Sequence, residues 1–238
     1  ETLGHFISCE DSNTHPFLQS RDKVEAVGII VISSDKGLCG GLNHVIFKKV
    51  LQTMQAYEQQ NIACPLAVIG KKGYQFFSKL QANIITHIEE LSPEPKVREI
   101  GEFIYQVVGR YYTNQIQQVL IFSNEFESIL IQKPRVQTLL PIKSIPTNES
   151  NIHYQYEYEP NKEDIVSGLL KSYLESIVYQ SLVENIACEH AARMIAMKNA
   201  TDNAKSIIHD LQLAYNKARQ ASITKEISEI VAGAEALG

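Results

Sequence analysis

Val27-Gly28-Ile29-Ile30-Val31-Ile32-Ser33-Ser34-Asp35-Lys36-Gly37-Leu38-Cys39-Gly40-Gly41-Leu42-Asn43 decides how the first half of the chain is read. Val27 to Ile32 is apolar throughout rather than alternating, which is the pattern of a strand covered on both faces. A glycine-rich turn follows, and then an amphipathic stretch over Asn43–Glu58. The order repeats downstream. Leu66–Ile69 and Val119–Phe122 are further continuous apolar runs, and Lys71–Leu80 and Lys96–Tyr112 are amphipathic. Strands alternating with helices imply a largely parallel sheet with helices on its faces. Ile84–Ile88 is a candidate additional strand, and Ser128–Leu139 is another whose Pro134 assigns it to an edge.

The texture changes after Pro160. The stretch from Pro141 to Pro160 holds Pro141, Pro146 and Pro160 and the cluster Tyr154-Gln155-Tyr156-Glu157-Tyr158, and reads as a connection with one short extended segment. From Lys162 to Leu237 there is no proline, Gly168 and Gly233 are the only glycines, and helix formers dominate. One helix of that span is about 110 Å long at 1.5 Å per residue. A helix this long cannot bury a single stripe against a small domain, so its exposed part needs partners. Ile223, Ile227, Ile230, Ala234 and Leu237 recur at heptad-like steps, as do Ile207, Leu211, Ala214, Ala218 and Ala221. Ala192, Ala196, Ala200 and Ala204 form a row at spacing four, either a ridge for close approach or simply good helix formers. Lys198, Asn199, Thr201, Asp202 and Asn203 interrupt the seam. A shaft touching several surfaces in turn and a local kink both account for that interruption. The expected division is residues 1–23 as a helix remnant and linker, 24–160 as an α/β domain, and 161–238 as the long helix.

Composition excludes several classes. The chain has 238 residues, 44% of them hydrophobic, enough for a sizeable core. A net charge of −5 is not that of a nucleic-acid-coating protein. No apolar run reaches the roughly 18 residues of a membrane span. Glu1-Thr2-Leu3-Gly4-His5 has neither a basic n-region nor an apolar core, so it does not read as a signal peptide. Cys9, Cys39, Cys64 and Cys188 are far apart and form no C-x-x-C, and they read as reduced thiols in a cytosol-like compartment. Cys188-Glu189-His190 contains no H-E-x-x-H, and no metal site is expected.

The strand–turn–helix around Gly37–Gly41 could cradle a phosphate. Its spacing matches neither G-x-G-x-x-G nor G-x-x-x-x-G-K-[ST], so a tight turn and a ligand loop both stand. Gly70-Lys71-Lys72-Gly73 is a weaker version after the second apolar run. Asp35 with Lys36, and Glu163 with Asp164, read as solvated charges rather than acid–base pairs. No nucleophile motif is present.

Two segments together carry a resemblance. One is Ser33 to Asn43, quoted above. The other is Glu184-Asn185-Ile186-Ala187-Cys188-Glu189-His190-Ala191-Ala192-Arg193-Met194, continuing through Lys198–Ala204 and Leu211–Glu226 to Ala234. Both resemble γ subunits of F-type ATP synthases, of bacterial type because the chloroplast family's extra cysteine segment is lacking. The likeness runs through the whole chain and is weakest around Pro141–His153. It implies a Rossmann-like parallel-sheet α/β domain with a very long C-terminal helix forming a coiled-coil shaft. It further implies a non-catalytic rotor, without cofactor, that couples proton flow through a c ring to ATP synthesis, or the reverse, at β-subunit sites. The implied partners are the α and β subunits, the ε subunit and the c ring. The implied location is the cytoplasmic face of a bacterial inner membrane, peripheral to it. By this resemblance Arg219, Gln220, Thr224 and Glu226 contact loops of the α/β hexamer, and Cys39 lies near an acidic β-subunit loop. Tyr156, Tyr158 and Glu159 match the foot on the c ring and ε, although an amphipathic strand also accounts for the tyrosines. Glu1-Thr2-Leu3-Gly4-His5-Phe6-Ile7 resembles only the end of the family's N-terminal helix, the usual antiparallel partner of the seam. The runner-up is a nucleotide- or phosphate-binding α/β enzyme using the Gly37–Gly41 turn.

Overall fold

The computed structural model describes residues 15–21, 23–92, 94–142 and 162–235. Among these described residues nine elements follow in order: β1 (Val27–Ile32), α1 (Leu42–Glu58), β2 (Leu66–Ile69), α2 (Lys71–Lys79), β3 (Ile84–Ile88), α3 (Val97–Tyr112), β4 (Gln118–Phe126), β5 (Gln132–Leu140) and α4 (Lys162–Glu235). They build one five-stranded sheet of order β3-β2-β1-β4-β5. β1, β2, β3 and β4 are parallel, and β5 pairs antiparallel with β4 as an edge strand. Pro134 of β5 stands opposite Asn124, where a residue without an N–H is tolerated at an edge. The second edge-region strand begins at Gln132 rather than Ser128, because Ser128 and Ile131 exchange backbone hydrogen bonds and close the turn.

The continuous apolar strands are buried on both faces, for a reason visible in their side chains. Val27, Ile29 and Val31 of β1 join Ile46, Phe47 and Val50 of α1 and Phe77 of α2 in one core. Ile30 and Ile32 point the other way and meet Ile100, Phe103, Ile104 and Val107 of α3. That second core also takes Val166, Leu170, Leu174, Val178 and Leu182 from the first half of α4. Each such side chain, fully removed from water, contributes about 1.5–3 kcal/mol. Phe17 is buried in the same core, and its carbonyl accepts a 2.8 Å hydrogen bond from the Ile142 N–H.

By contact, the chain divides into two compact units, Glu1–Arg193 and Met194–Gly238. α4 is a single element of 74 residues whose first part is built into the sheet's core. From Lys198 to Ala234 every residue is exposed, including Ile207, Leu211, Ile223, Ile227 and Ile230 of the seam. The helix runs without interruption through the polar stretch Lys198–Asn203.

Candidate functional site

Parallel α/β sheets bind ligands at the carboxyl ends of their strands, where the strand order reverses. Here that point lies between β1 and β4, and the Gly37–Gly41 turn leaves β1 beside it. The turn is closed by its own side chains. The Ser34 hydroxyl donates to the Lys36 carbonyl at 2.7 Å, and the Asn43 amide donates to the Ser34 hydroxyl at 2.6 Å. The Ser34 N–H donates to Asn43 Oδ1 at 3.1 Å, so the first turn of α1 is stapled to the end of β1. Leu38 and Gly40 hold φ of 64° and 60°, and Leu38 projects with 73% of its surface exposed.

The crevice a nucleotide would need is filled. Cys39 and Leu42 pack with Cys188 of α4 in a small apolar cluster, with Ala192 against it. Cys188 also donates from its thiol to the Asn124 carbonyl at the end of β4, at 3.5 Å. Burial, with the nearby Glu184 carboxylate adding to it, pushes that thiol up to about 11. Asn185, 1% exposed, accepts at Oδ1 from the Asn124 backbone N–H (3.2 Å) and the Asn124 amide (2.8 Å). Glu184 accepts from the Phe126 N–H at 3.1 Å. The Arg193 guanidinium donates to the Gly37 carbonyl at 3.2 Å and pairs with Glu189 one turn back.

The second glycine pair has an equally internal role. Asp35 is not a solvated charge: its Oδ1 accepts from the Lys71 N–H at 2.8 Å and the Glu90 N–H at 3.2 Å. Its carboxylate thereby sits on the N-terminus of α2, the place where a bound phosphate would otherwise gain from the helix dipole. Gly73 donates its N–H to the Ser33 hydroxyl at 2.9 Å, and a Cβ at Gly73 would lie 2.6 Å from that oxygen. A Cβ at Gly70, whose φ is 100°, would lie 2.2 Å from the Ser33 carbonyl oxygen. These glycines let α2 approach β1 closely, and Ser33 fills the space at both of them. A cavity of about 160 Å³ remains beside them, lined among others by Asp35, Lys36, Glu189, His190 and Arg193. Of these, Asp35 is engaged by two backbone N–H groups, and Arg193 by Glu189 and the Gly37 carbonyl. Among the described residues no group of three or more His, Cys, Asp or Glu could hold a metal ion, and no helix is long and apolar enough to cross a membrane.

The structure separates the residues singled out from the sequence. Cys39 is buried at the base of its turn, with Lys36 and Leu38 on the surface above it. Arg219, Gln220, Thr224 and Glu226 are all exposed on α4, and Glu226 accepts from the Ser222 hydroxyl at 3.4 Å. Tyr156, Tyr158 and Glu159 lie outside the described residues. Sequence reasoning missed the roles of Asn124, Asn185, Glu184 and Arg193. A signal was present: Val166, Leu170, Leu174, Val178 and Leu182 trace a buried apolar stripe, and the next member of that stripe is Asn185. A polar residue in a core stripe demands a buried partner.

The fold and this site define an α/β body into which one end of a long helix is built. Residues 1–237 match the family model described as ATP synthase. The chain is 42% identical, over its whole length and 82% of theirs, to the ATP synthase gamma chains of two Coxiella burnetii strains, Dugway 5J108-111 and CbuK_Q154. Among solved structures it is similar to the central stalk/c-ring structure of the Tetrahymena thermophila mitochondrial ATP synthase, at 25% identity and TM-score 0.62, covering 77% of this chain and 80% of that one. It shares its fold with a chain of the Euglena gracilis mitochondrial ATP synthase at 19% identity and TM-score 0.68, covering 100% of this chain and 81% of that one. The chain belongs to the ATP synthase γ-chain family, the non-catalytic central-stalk subunit of a membrane-associated complex.

Proposed function

We propose that this chain is the axle that couples proton flow through a c ring to ATP synthesis, or hydrolysis to pumping, at the β-subunit catalytic sites. The observation that carries this reading is α4. One end of the helix is held by directional hydrogen bonds and an apolar stripe, and every residue from Lys198 to Ala234 is exposed. A lever needs one fixed end and one free working surface. In this reading Arg219, Gln220, Thr224 and Glu226 engage loops of the α/β hexamer in turn. The Arg fork and the adjacent amide suit carboxylates and backbone carbonyls on a passing partner. The Gly37–Gly41 turn meets an acidic β-subunit loop through exposed Lys36 and Leu38, with Cys39 packed beneath. Tyr156, Tyr158 and Glu159 form the foot on the c ring and ε subunit. The complex sits at the cytoplasmic face of a bacterial inner membrane, and the chain is peripheral to it. The domain reading that goes with this is a body over 24–160 and a shaft over 161–238.

The test is Arg219→Ala with Gln220→Ala. An exposed ion pair contributes at most about 1 kcal/mol to a helix, whereas a charge-assisted hydrogen bond to a partner is worth about 1.5–3 kcal/mol. Each 1.4 kcal/mol at a rate-limiting contact is about tenfold in rate. ATP synthesis by the reconstituted complex is expected to fall tenfold or more while thermal unfolding of the chain is unchanged. Unchanged synthesis, or a loss matched by unfolding, reduces these residues to ordinary helix surface.

A further inference from the structure

β1 stops pairing with β4 at Val31↔Phe122, yet β4 continues to Phe126. Beyond that point the edge of β4 that β1 has left has, among the described residues, no strand beside it. Asn124 and Phe126 are two residues apart, so their backbone groups lie on one edge. α4 takes that edge with side chains. Asn185 accepts the Asn124 N–H and amide, Cys188 donates to the Asn124 carbonyl, and Glu184 accepts the Phe126 N–H. Glu184, Asn185 and Cys188 fall within about 100° of the helix circumference. Arg193 adds a fifth bond, to the Gly37 carbonyl on the turn that leaves β1.

An apolar stripe is non-directional and resists rotation of a helix about its axis only by shape. Hydrogen bonds are directional and weaken steeply off-axis. A helix slide of about 1.5 Å, one residue of rise, takes these groups out of range. We infer that the Glu184–Asn185–Cys188 edge on Asn124 and Phe126, with Arg193 on Gly37, is a torque lock, with Asn185 its central positioning residue. It fixes the rotational register of α4 in the body, so that torque carried by the helix turns the body instead of slipping within it. This rests on the axle reading above. No part of the lock touches nucleotide. Its loss uncouples hydrolysis from pumping without slowing hydrolysis itself.

The experiment uses the whole complex in membrane vesicles with this chain as its γ subunit. ATP hydrolysis, ATP-driven proton pumping and complex abundance are measured side by side. Asn185→Leu keeps the branched shape of the side chain and removes the acceptor; Asn185→Asp keeps the acceptor. Glu184→Ala, at a half-buried position, tests the same lock where folding is not at risk. For Asn185→Leu the pumping-to-hydrolysis ratio is expected to fall at least threefold at unchanged abundance, with Asp restoring more than half of it. Glu184→Ala lowers the ratio by a smaller amount. A ratio unchanged in both Asn185→Leu and Glu184→Ala overturns the lock. So does a proportional loss of abundance, hydrolysis and pumping in Asn185→Leu with no change in the Glu184→Ala ratio, which makes the contact merely structural. A wild-type chain that assembles but supports no pumping refutes the axle reading instead.

Discussion

Replacing Gly70 by Ala separates a packing glycine from a ligand-loop glycine. Gly70 holds φ 100° and ψ 139°, a region that side chains occupy at a cost of about 1–3 kcal/mol. An added Cβ would sit 2.2 Å from the Ser33 carbonyl oxygen and 2.7 Å from its carbon. Ser33 cannot yield easily. Its N–H donates to the Ile69 carbonyl at 2.8 Å, its hydroxyl to the same carbonyl at 3.0 Å, and its hydroxyl accepts from Gly73 at 2.9 Å. Moving it loses at least one of these bonds, about 1 kcal/mol each. Gly70→Ala is therefore expected to cost at least about 2–4 kcal/mol. Gly41→Ala is the internal control: its φ is −87° and nothing lies within 4 Å of an added Cβ. That variant is expected within about 0.5 kcal/mol of the wild type. The chain has no Trp and 11 Tyr, so urea unfolding is followed by near-UV circular dichroism of tyrosine. A Gly70→Ala midpoint corresponding to less than about 1 kcal/mol of loss would refute the close approach of Gly70 to Ser33. It would also reopen the Gly70–Gly73 turn as a ligand loop.

Cys188 should be inert in the folded chain: with its thiol pushed up to about 11, only on the order of one molecule in a thousand is thiolate at pH 8. Iodoacetamide at pH 8 followed by peptide mass mapping should leave it unmodified until urea is added, and prompt labelling without urea would contradict its burial. The exposed row Ile207, Leu211, Ile223, Ile227 and Ile230 is an association surface, so the free chain should self-associate in sedimentation velocity. Changing Ile223, Ile227 and Ile230 together to Ser should shift it towards monomer, and an unaltered distribution would place the contact elsewhere.

Sequence alone determined the elements and their order. Continuous apolar runs such as Val27–Ile32 report a strand buried on both faces, and the proline-free stretch after Pro160 reports one long helix, because both signals are local and periodic. Pro134 marked the edge strand for the same local reason, a missing N–H. Tertiary structure alone decided what the strand ends do. The Gly37–Gly41 turn left a ligand loop and a tight turn both open, since glycine spacing records backbone freedom but not what approaches it. α4 settles the matter by placing Cys188 and Asn185 in the crevice beside β4, more than 140 residues from the turn in sequence. Asp35, read as a solvated charge, is instead half-buried at the start of α2, because its partners Lys71 and Glu90 come from other segments. Hydrogen bonds across such separations have no periodic trace in the chain.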